Sequence, residues 1–499
     1  MKRPFCLFVL WWYTITLSAN NIFVDNLAVY DNLGDPGFAT VKFDLRWENS
    51  WRVTTAPGNY DAAWVFAKYR VGGGEWRHVR FSAATAIPSG ASVDVFDDVG
   101  VMVYASGEMT GPADYPGIEL GWDLGVDAIA WSTDIEIRVF AIEMTYVPAG
   151  AFYLGTGLTN GSEVDEFYQA NNGKPYHVRN AGEIIVSSKG NRLWYTDVGN
   201  RGADFGGPIP ADYPNGYDAF YLMKYETSQQ QWVDFFNTLS PAHRLLHDVT
   251  AADGKDSDTE HFHNGVVYDP ASGADAYTTL PETAAGYTSM LDMMAYFDWS
   301  GLRPLTELEF EKAARGPLYP MGDEFAWGNP NVANARYAIL NFGLPNEKVA
   351  AYTLTKLGVN GNATYLDTNP SDRAEKGPLR CGVYAGSVSE ISASDRVSAG
   401  AGYYGNMELS GNQWEGVVTI VDDTGRAFTN THGDGSLSAD GFANVPTWPT
   451  DVDGVGIRGG RSDNAQGLMR ISDRSYSKVV TSNNASRYYW LQWRGVRGL

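Results

Sequence analysis

Apolar and polar residues alternate along much of the first third of the chain in the two-residue period of half-buried strands. Val41, Phe43, Leu45 and Trp47 share one face, and Ile135, Ile137 and Val139 share another with Glu136 and Arg138 opposite. The runs Trp64 to Tyr69, Val95-Phe96 and Val101 to Tyr104 add further strands, separated by Gly, Pro and Asn turns. No stretch in this region holds a long 3.6-residue period. An antiparallel β-sandwich over residues 20–142 is the economical reading.

The pattern changes beyond it. Trp232, Phe235, Phe236 and Leu239 recur at helical spacing after the caps Thr227 and Ser228, which predicts a helix over 228–239. Thr306 with Glu309 forms a capping box for a second helix, whose apolar residues Leu305, Leu308, Phe310 and Ala314 alternate with charges. From Gly316 onward the chain reads as short strands and loops, with a long Asn, Gly, Thr and Ser-rich stretch from Asn329 to Ala401. The fold class expected is α+β: an N-terminal all-β sandwich, then one large loop-rich domain over 143–499. Loops of that extent carry function or bind ions to offset their ordering.

Charge narrows the function classes. A formal net charge of -22 leaves little to neutralise phosphates or anionic lipid, so no nucleic-acid partner is expected. Lys2 and Arg3, the apolar run Phe5 to Tyr13 and small residues up to Ala19 read as a signal peptide over 1–19. That run is too short to span a bilayer, so the expected location is secreted or cell-surface, without stable membrane insertion. The two cysteines are Cys6, inside that leader, and Cys381, which reads as buried packing. A mature chain would then hold no intramolecular disulfide. The 29 Tyr, 22 Phe and 16 Trp among 55 Gly suit a turn-rich surface with exposed, rigid rings.

Three constellations carry possible chemistry. His243, His247, His261 and His263, beside Glu260, contain enough imidazole for a transition metal, but no His-Glu-x-x-His spacing supports one and surface histidines are the simpler reading. Glu408 and Glu415 flank a Ser410-Gly411-Asn412 turn that could fold both carboxylates toward one point, with hard oxygen ligands of the kind calcium takes. The tail concentrates Arg458, Arg461, Arg470, Arg474, Arg487, Arg494 and Arg497 among Tyr476, Tyr488, Tyr489, Trp490 and Trp493. Those arginines either knit a loop-rich domain together or face a ligand. No Ser-His-Asp order, phosphate loop or zinc-type cysteine spacing occurs.

Six stretches in order then resemble one family: Val147 to Gly155, Tyr225 to Trp232, Leu302 to Gly316, Tyr319 to Glu324, Ser410 to Glu415, and Ile457-Arg-Gly-Gly460 through Arg497. They are similar to the landmarks of the sulfatase-modifying factor, or formylglycine-generating enzyme, family. The resemblance implies a variant of the C-type lectin fold. It also implies two copper-binding, redox-active cysteines after the Gly-Gly pair, where this chain has Asn464 and Met469. Neither supplies a thiolate, so formylglycine-generating activity and copper are not expected. The family's calcium turn maps onto Glu408, Gly411, Gln413 and Glu415, and the start of a second calcium site onto Asn334 and Ala335. Calcium is therefore the expected cofactor, in a structural role.

The ending, with Arg458-Gly-Gly and Arg494-Gly-Val-Arg497, also resembles the variable proteins of diversity-generating retroelements, which display side chains to a ligand. Asn464, Asn483, Asn484, Ser486, Tyr488, Tyr489 and Trp490 are of the type such a surface shows. The ligand-binding set expected from the tail is Asn464, Arg470, Arg474, Tyr488, Tyr489, Trp490 and Trp493. The leading expectation is a non-catalytic module for a protein or glycan ligand. Its rivals are a metal-dependent oxidoreductase of the same family and a retroelement-diversified binding protein.

Overall fold

A computed structural model describes residues 22–31, 37–130, 134–158, 161–162, 165–195, 206–354, 359–368, 376–388, 396–478 and 483–499. The signal-peptide reading and Cys6 lie outside these residues. Among the described residues no helix is long and apolar enough to cross a membrane. Strands outnumber helices, and long loops join them, as an α+β reading requires.

Two sheets face each other at the N-terminal end. One is antiparallel and four-stranded, in the order Phe23–Asp31, Phe38–Arg52, Met109–Asp123, Phe81–Ala86. The other runs Arg303–Pro304, Gly495–Gly498, Phe220–Met223, Ile135–Val147, Asp61–Val71, Gly100–Ala105, Ala91–Phe96. Strand Asp61–Val71 explains how they are joined. Its successive side chains point to opposite faces, and both faces are apolar. Ala63, Val65, Ala67 and Tyr69 meet Val41, Phe43, Leu45 and Trp47 in the sandwich core. Ala62, Trp64 and Phe66 point the other way, into the main core with Trp299, Phe297 and Trp493.

The expected division at 142/143 therefore falls inside a strand, Ile135–Val147. That strand pairs with Asp61–Val71 on one side and with Phe220–Met223 on the other. A sandwich exists, but one of its sheets is also the central sheet of the larger region. Polar ties reinforce the joint. Trp64 Nε1 donates to Ser300 O at 2.8 Å, and Asn59 Nδ2 to Tyr404 O at 2.6 Å. Lys224 Nζ is held between Asp61 (3.0 Å) and Glu143 (2.9 Å), all three buried.

Three helices pack on this sheet. Gln229–Phe236 is capped by Ser228 with Gln231, and Glu307–Arg315 by Thr306 with Glu309, both in capping boxes. Met290–Ser300, capped by Ser289 with Asp292, ends at Gly301 in the left-handed conformation, φ 73°. The sequence gives this third helix no amphipathic stripe, because nearly its whole circumference is buried.

Candidate functional site

The tail arginines divide into two sets. Arg458 and Arg474 are fully buried and close on helix Glu307–Arg315. Arg474 Nε and Nη2 bond the carboxylate of Glu307 at 2.8 and 3.2 Å, Nη1 donates to Asp165 O, and the guanidinium lies 3.8 Å from the Phe167 ring centroid. Arg458 bridges Glu307 and Glu311, and Arg315 joins Glu311 to Glu324. Arg303 makes a two-pronged pair with Glu309. The alternation of charge and apolar residue on this helix thus faces an ion-pair lattice inside the protein, in which each charge must keep its partner.

Two expected ligand-binding residues are corrected by this. Arg474 is committed to Glu307 and has no surface to offer. Trp493 is likewise fully buried, its ring lying against Gly416, where a Cβ would come within 2.1 Å of it. Arg470 is half-buried at the surface, bonded to Ser162 and paired with Asp323. Asn464 closes a surface turn, its Oδ1 accepting from Arg461 N at 3.2 Å, whereas Met469 is buried among Phe325, Trp327 and Tyr365.

Tyr488, Tyr489 and Trp490 are half-buried and form a rigid platform. The three consecutive carbonyls are clamped from below: Tyr488 O accepts from Tyr287 N, Tyr489 O from Gln413 Nε2 and Trp490 O from Trp414 N. Their rings are ordered as well. Tyr488 stacks on Trp490 at 4.7 Å, and Tyr489 stacks on Phe262 at 4.0 Å. Arg461 lies over both Tyr489 and Trp490 and pairs with Asp463, which accepts from the Tyr489 hydroxyl at 3.0 Å. Phe262 was hidden from the sequence reading by its position between two histidines. Aromatic rings whose backbone is fixed and whose edges carry a cation and a carboxylate meet a ligand with little ordering entropy to lose.

Beneath the platform runs the acidic turn. Glu408, Gly411 and Asn412 have φ of 55°, 93° and 65°, the left-handed conformation that folds the segment tightly. Both glutamates are buried. Glu408 Oε1 accepts from Gly382 N at 2.9 Å, and Glu415 Oε1 from Arg494 Nε at 2.6 Å. The second oxygens of both are buried without a hydrogen bond, although Gln492 lies beside Glu415. Glu226 joins them, accepting from Asn412 Nδ2 and Gln413 N. Burial, and then the charge of Glu415, pushes the Glu226 carboxyl well up; burial, opposed by Arg494, pushes Glu408 up to about 7. No local pattern marks Glu226 for this role: it stands between Lys224-Tyr225 and the polar run Thr227 to Gln231.

These oxygens suit a hard cation in part: two bare carboxylate oxygens in a strongly bent turn, short of positive charge, with Arg494 supplying some of it. Among the described residues no group of three or more His, Cys, Asp or Glu side chains is arranged to hold a metal ion. Asn334 and Ala335 are exposed in the loop before Tyr337. The four histidines have separate tasks: His243 meets Ala439 O, His247 is buried against Asp292 and Gly441 O, His263 meets Pro378 O, and His261 bridges to Asn264. Cys381 is buried, with its Sγ 3.6 Å from Glu226 O.

A loop-rich α+β scaffold locked by an arginine lattice, with an acidic turn under an aromatic surface, defines the class. The model of the sulfatase-modifying factor enzyme 1-like domain matches residues 138–486, and the chain belongs to that family. No curated protein matches it. Among solved structures it is similar to Treponema denticola variable protein 1, at 10% identity and a TM-score of 0.30, over 72% of this chain and 96% of that one.

Proposed function

We propose that this protein is a secreted or surface-displayed ligand-binding module, built on a C-type-lectin-like form of the family scaffold and devoid of formylglycine-generating activity. The observation that carries the reading is the platform Tyr488-Tyr489-Trp490, fixed by three carbonyl clamps and edged by Arg461 and Asp463. Asn464 and Met469 stand where the family's two thiols act, and the buried Cys381 cannot reach water as a thiolate, since burial drives its thiol well up. Tyr and Trp with an adjacent Arg are the residues that anchor protein and glycan ligands. Calcium held by Glu408, Glu415 and the carbonyls of Gly411 and Gln413 would brace the turn to which the platform is bonded.

A glycan array and a sulfatase-derived cysteine peptide with copper test this reading together. The expected result is capture of a ligand that the double variant Tyr488→Ala/Trp490→Ala loses while keeping its thermal unfolding, and no conversion of the peptide. Conversion of the peptide, or a double variant that captures every ligand the native chain captures, overturns it.

A further inference from the structure

An open cleft of about 470 Å³ lies apart from the platform, sharing no residue with it. One wall is the segment 211–220 and the other is Thr429-Asn430-Thr431. The floor is the Arg303–Glu309 pair, with Gly498 at one end. Its size falls in the range of roughly 300–1,000 Å³ usual for small-molecule sites.

Both walls are held from behind. Tyr213 Oη donates to Val418 O, Thr306 Oγ1 to Pro214 O, and Lys312 Nζ to Tyr217 O and Asp218 O. On the far side Trp448 Nε1 donates to Thr431 O, Thr429 Oγ1 to Thr447 Oγ1, and Gly498 N to His432 Nε2. The cleft is thus formed before any ligand arrives.

Its lining restricts what enters. Asp212 and Asp218 are exposed at the rim. The charge of Arg303 is already spent on Glu309, Asn430 Oδ1 and Pro304 O, and Lys312 is buried behind the wall on Tyr217 O and Asp218 O, so an anionic ligand meets an acidic rim. A chelated metal is disfavoured for the reason given above for the described residues. Alternating with these polar groups are Ala211, Pro214, Ala219 and Phe220. A ligand that carries hydroxyls to donate to carboxylates, and C–H faces to lay on small apolar residues, matches both.

We propose that this cleft is a second binding site, for a neutral saccharide of one or two rings. Hydroxyls of the sugar donate to Asp212 and Asp218 and accept from Asn430 Nδ2. The site stands independently of the platform reading.

Isothermal titration of the full chain with cellobiose, maltose, lactose and diacetylchitobiose, and with spermidine as the cationic competitor, tests it. At least one disaccharide is expected to bind saturably, with an affinity unchanged between low and high salt and unchanged in Trp490→Ala. Asp212→Ala/Asp218→Ala should weaken it at least roughly tenfold, because each lost charged hydrogen bond is worth that factor. Ala211→Trp, at an exposed position, should abolish it by filling the space. Four silent titrations overturn the proposal, as does binding of spermidine alone with loss at high salt. Disaccharide binding that disappears in Trp490→Ala and survives the rim variants assigns the sugar to the platform and overturns the cleft.

Discussion

Replacing Arg474 by Met separates a structural arginine from a ligand-facing one. The substitution keeps much of the aliphatic length and removes the guanidinium, with its two bonds to Glu307, one to Asp165 O and the contact with Phe167 and Tyr195. Breaking a buried pair by deleting one partner is worth about 3–5 kcal/mol, because the other charge stays in the interior. Glu307 keeps Arg458, the Thr419 hydroxyl and Ile420 N–H, which places the loss near the lower end, about 3 kcal/mol. An exposed arginine would change stability by no more than about 0.5 kcal/mol. Urea unfolding followed by near-ultraviolet circular dichroism measures the difference as a lowered midpoint at unchanged slope. A midpoint equal to that of the native chain would refute the lattice argument and return Arg474 to the surface. A second variant, Glu307→Gln/Arg474→Met, should be less destabilised than the sum of its single changes, since the two share one interaction.

Trp493→Ala should lose about 3–5 kcal/mol in the same assay, whereas Trp490→Ala, three residues earlier and half-exposed, should lose much less; equal losses would contradict the assignment of one ring to core and the other to platform. Asp234 has its carboxyl pushed from 3.8 up to about 7, chiefly by burial. Its folded form therefore holds a proton that the unfolded chain releases earlier, and the contribution to stability is complete below about pH 4 and lost as pH rises through 7. Asp234→Asn should flatten that part of the stability profile measured by thermal unfolding, and an unchanged profile would show that the group titrates normally. Removing divalent cations with a chelator should lower the unfolding temperature, calcium alone should restore it, and Glu415→Gln should abolish the response. A native chain that neither retains calcium by mass spectrometry nor responds to the chelator would end the calcium proposal.

Local signals were legible where one residue type has one physical use. The cap at Ser228 and the capping box at Thr306 mark helix starts because short hydroxyl side chains satisfy free N–H groups of the first turn, and at Thr306 the acid three residues on satisfies the cap's own N–H in return. The strands over Val41 to Trp47 and Ile135 to Val139 show in the alternation because one face of each is buried more deeply than the other. Strand Asp61–Val71 and helix Met290–Ser300 are different: apolar on every side, they carry no period that says which neighbour takes which face. For that reason the continuity of the central sheet through residue 142 could not be read from the pattern. The tail posed the same problem in its side chains. Trp490 and Trp493, or Arg461 and Arg474, are chemically identical pairs, and only the path of the chain puts one member of each at the surface and the other inside. The convergence of Glu226 with Glu408 and Glu415 joins segments about two hundred positions apart, which no local spacing reveals.

The shared sheet has a mechanical meaning. Strand Asp61–Val71 and the closing strand Gly495–Gly498 belong to one hydrogen-bonded ladder, with only Ile135–Val147 and Phe220–Met223 between them. Tension entering through the N-terminal strands passes through that ladder to Gly495–Gly498, the second strand after the platform. A load applied between the N-terminal strands and Gly495–Gly498 is then borne by one stiff element, as strain on the hydrogen bonds of that ladder.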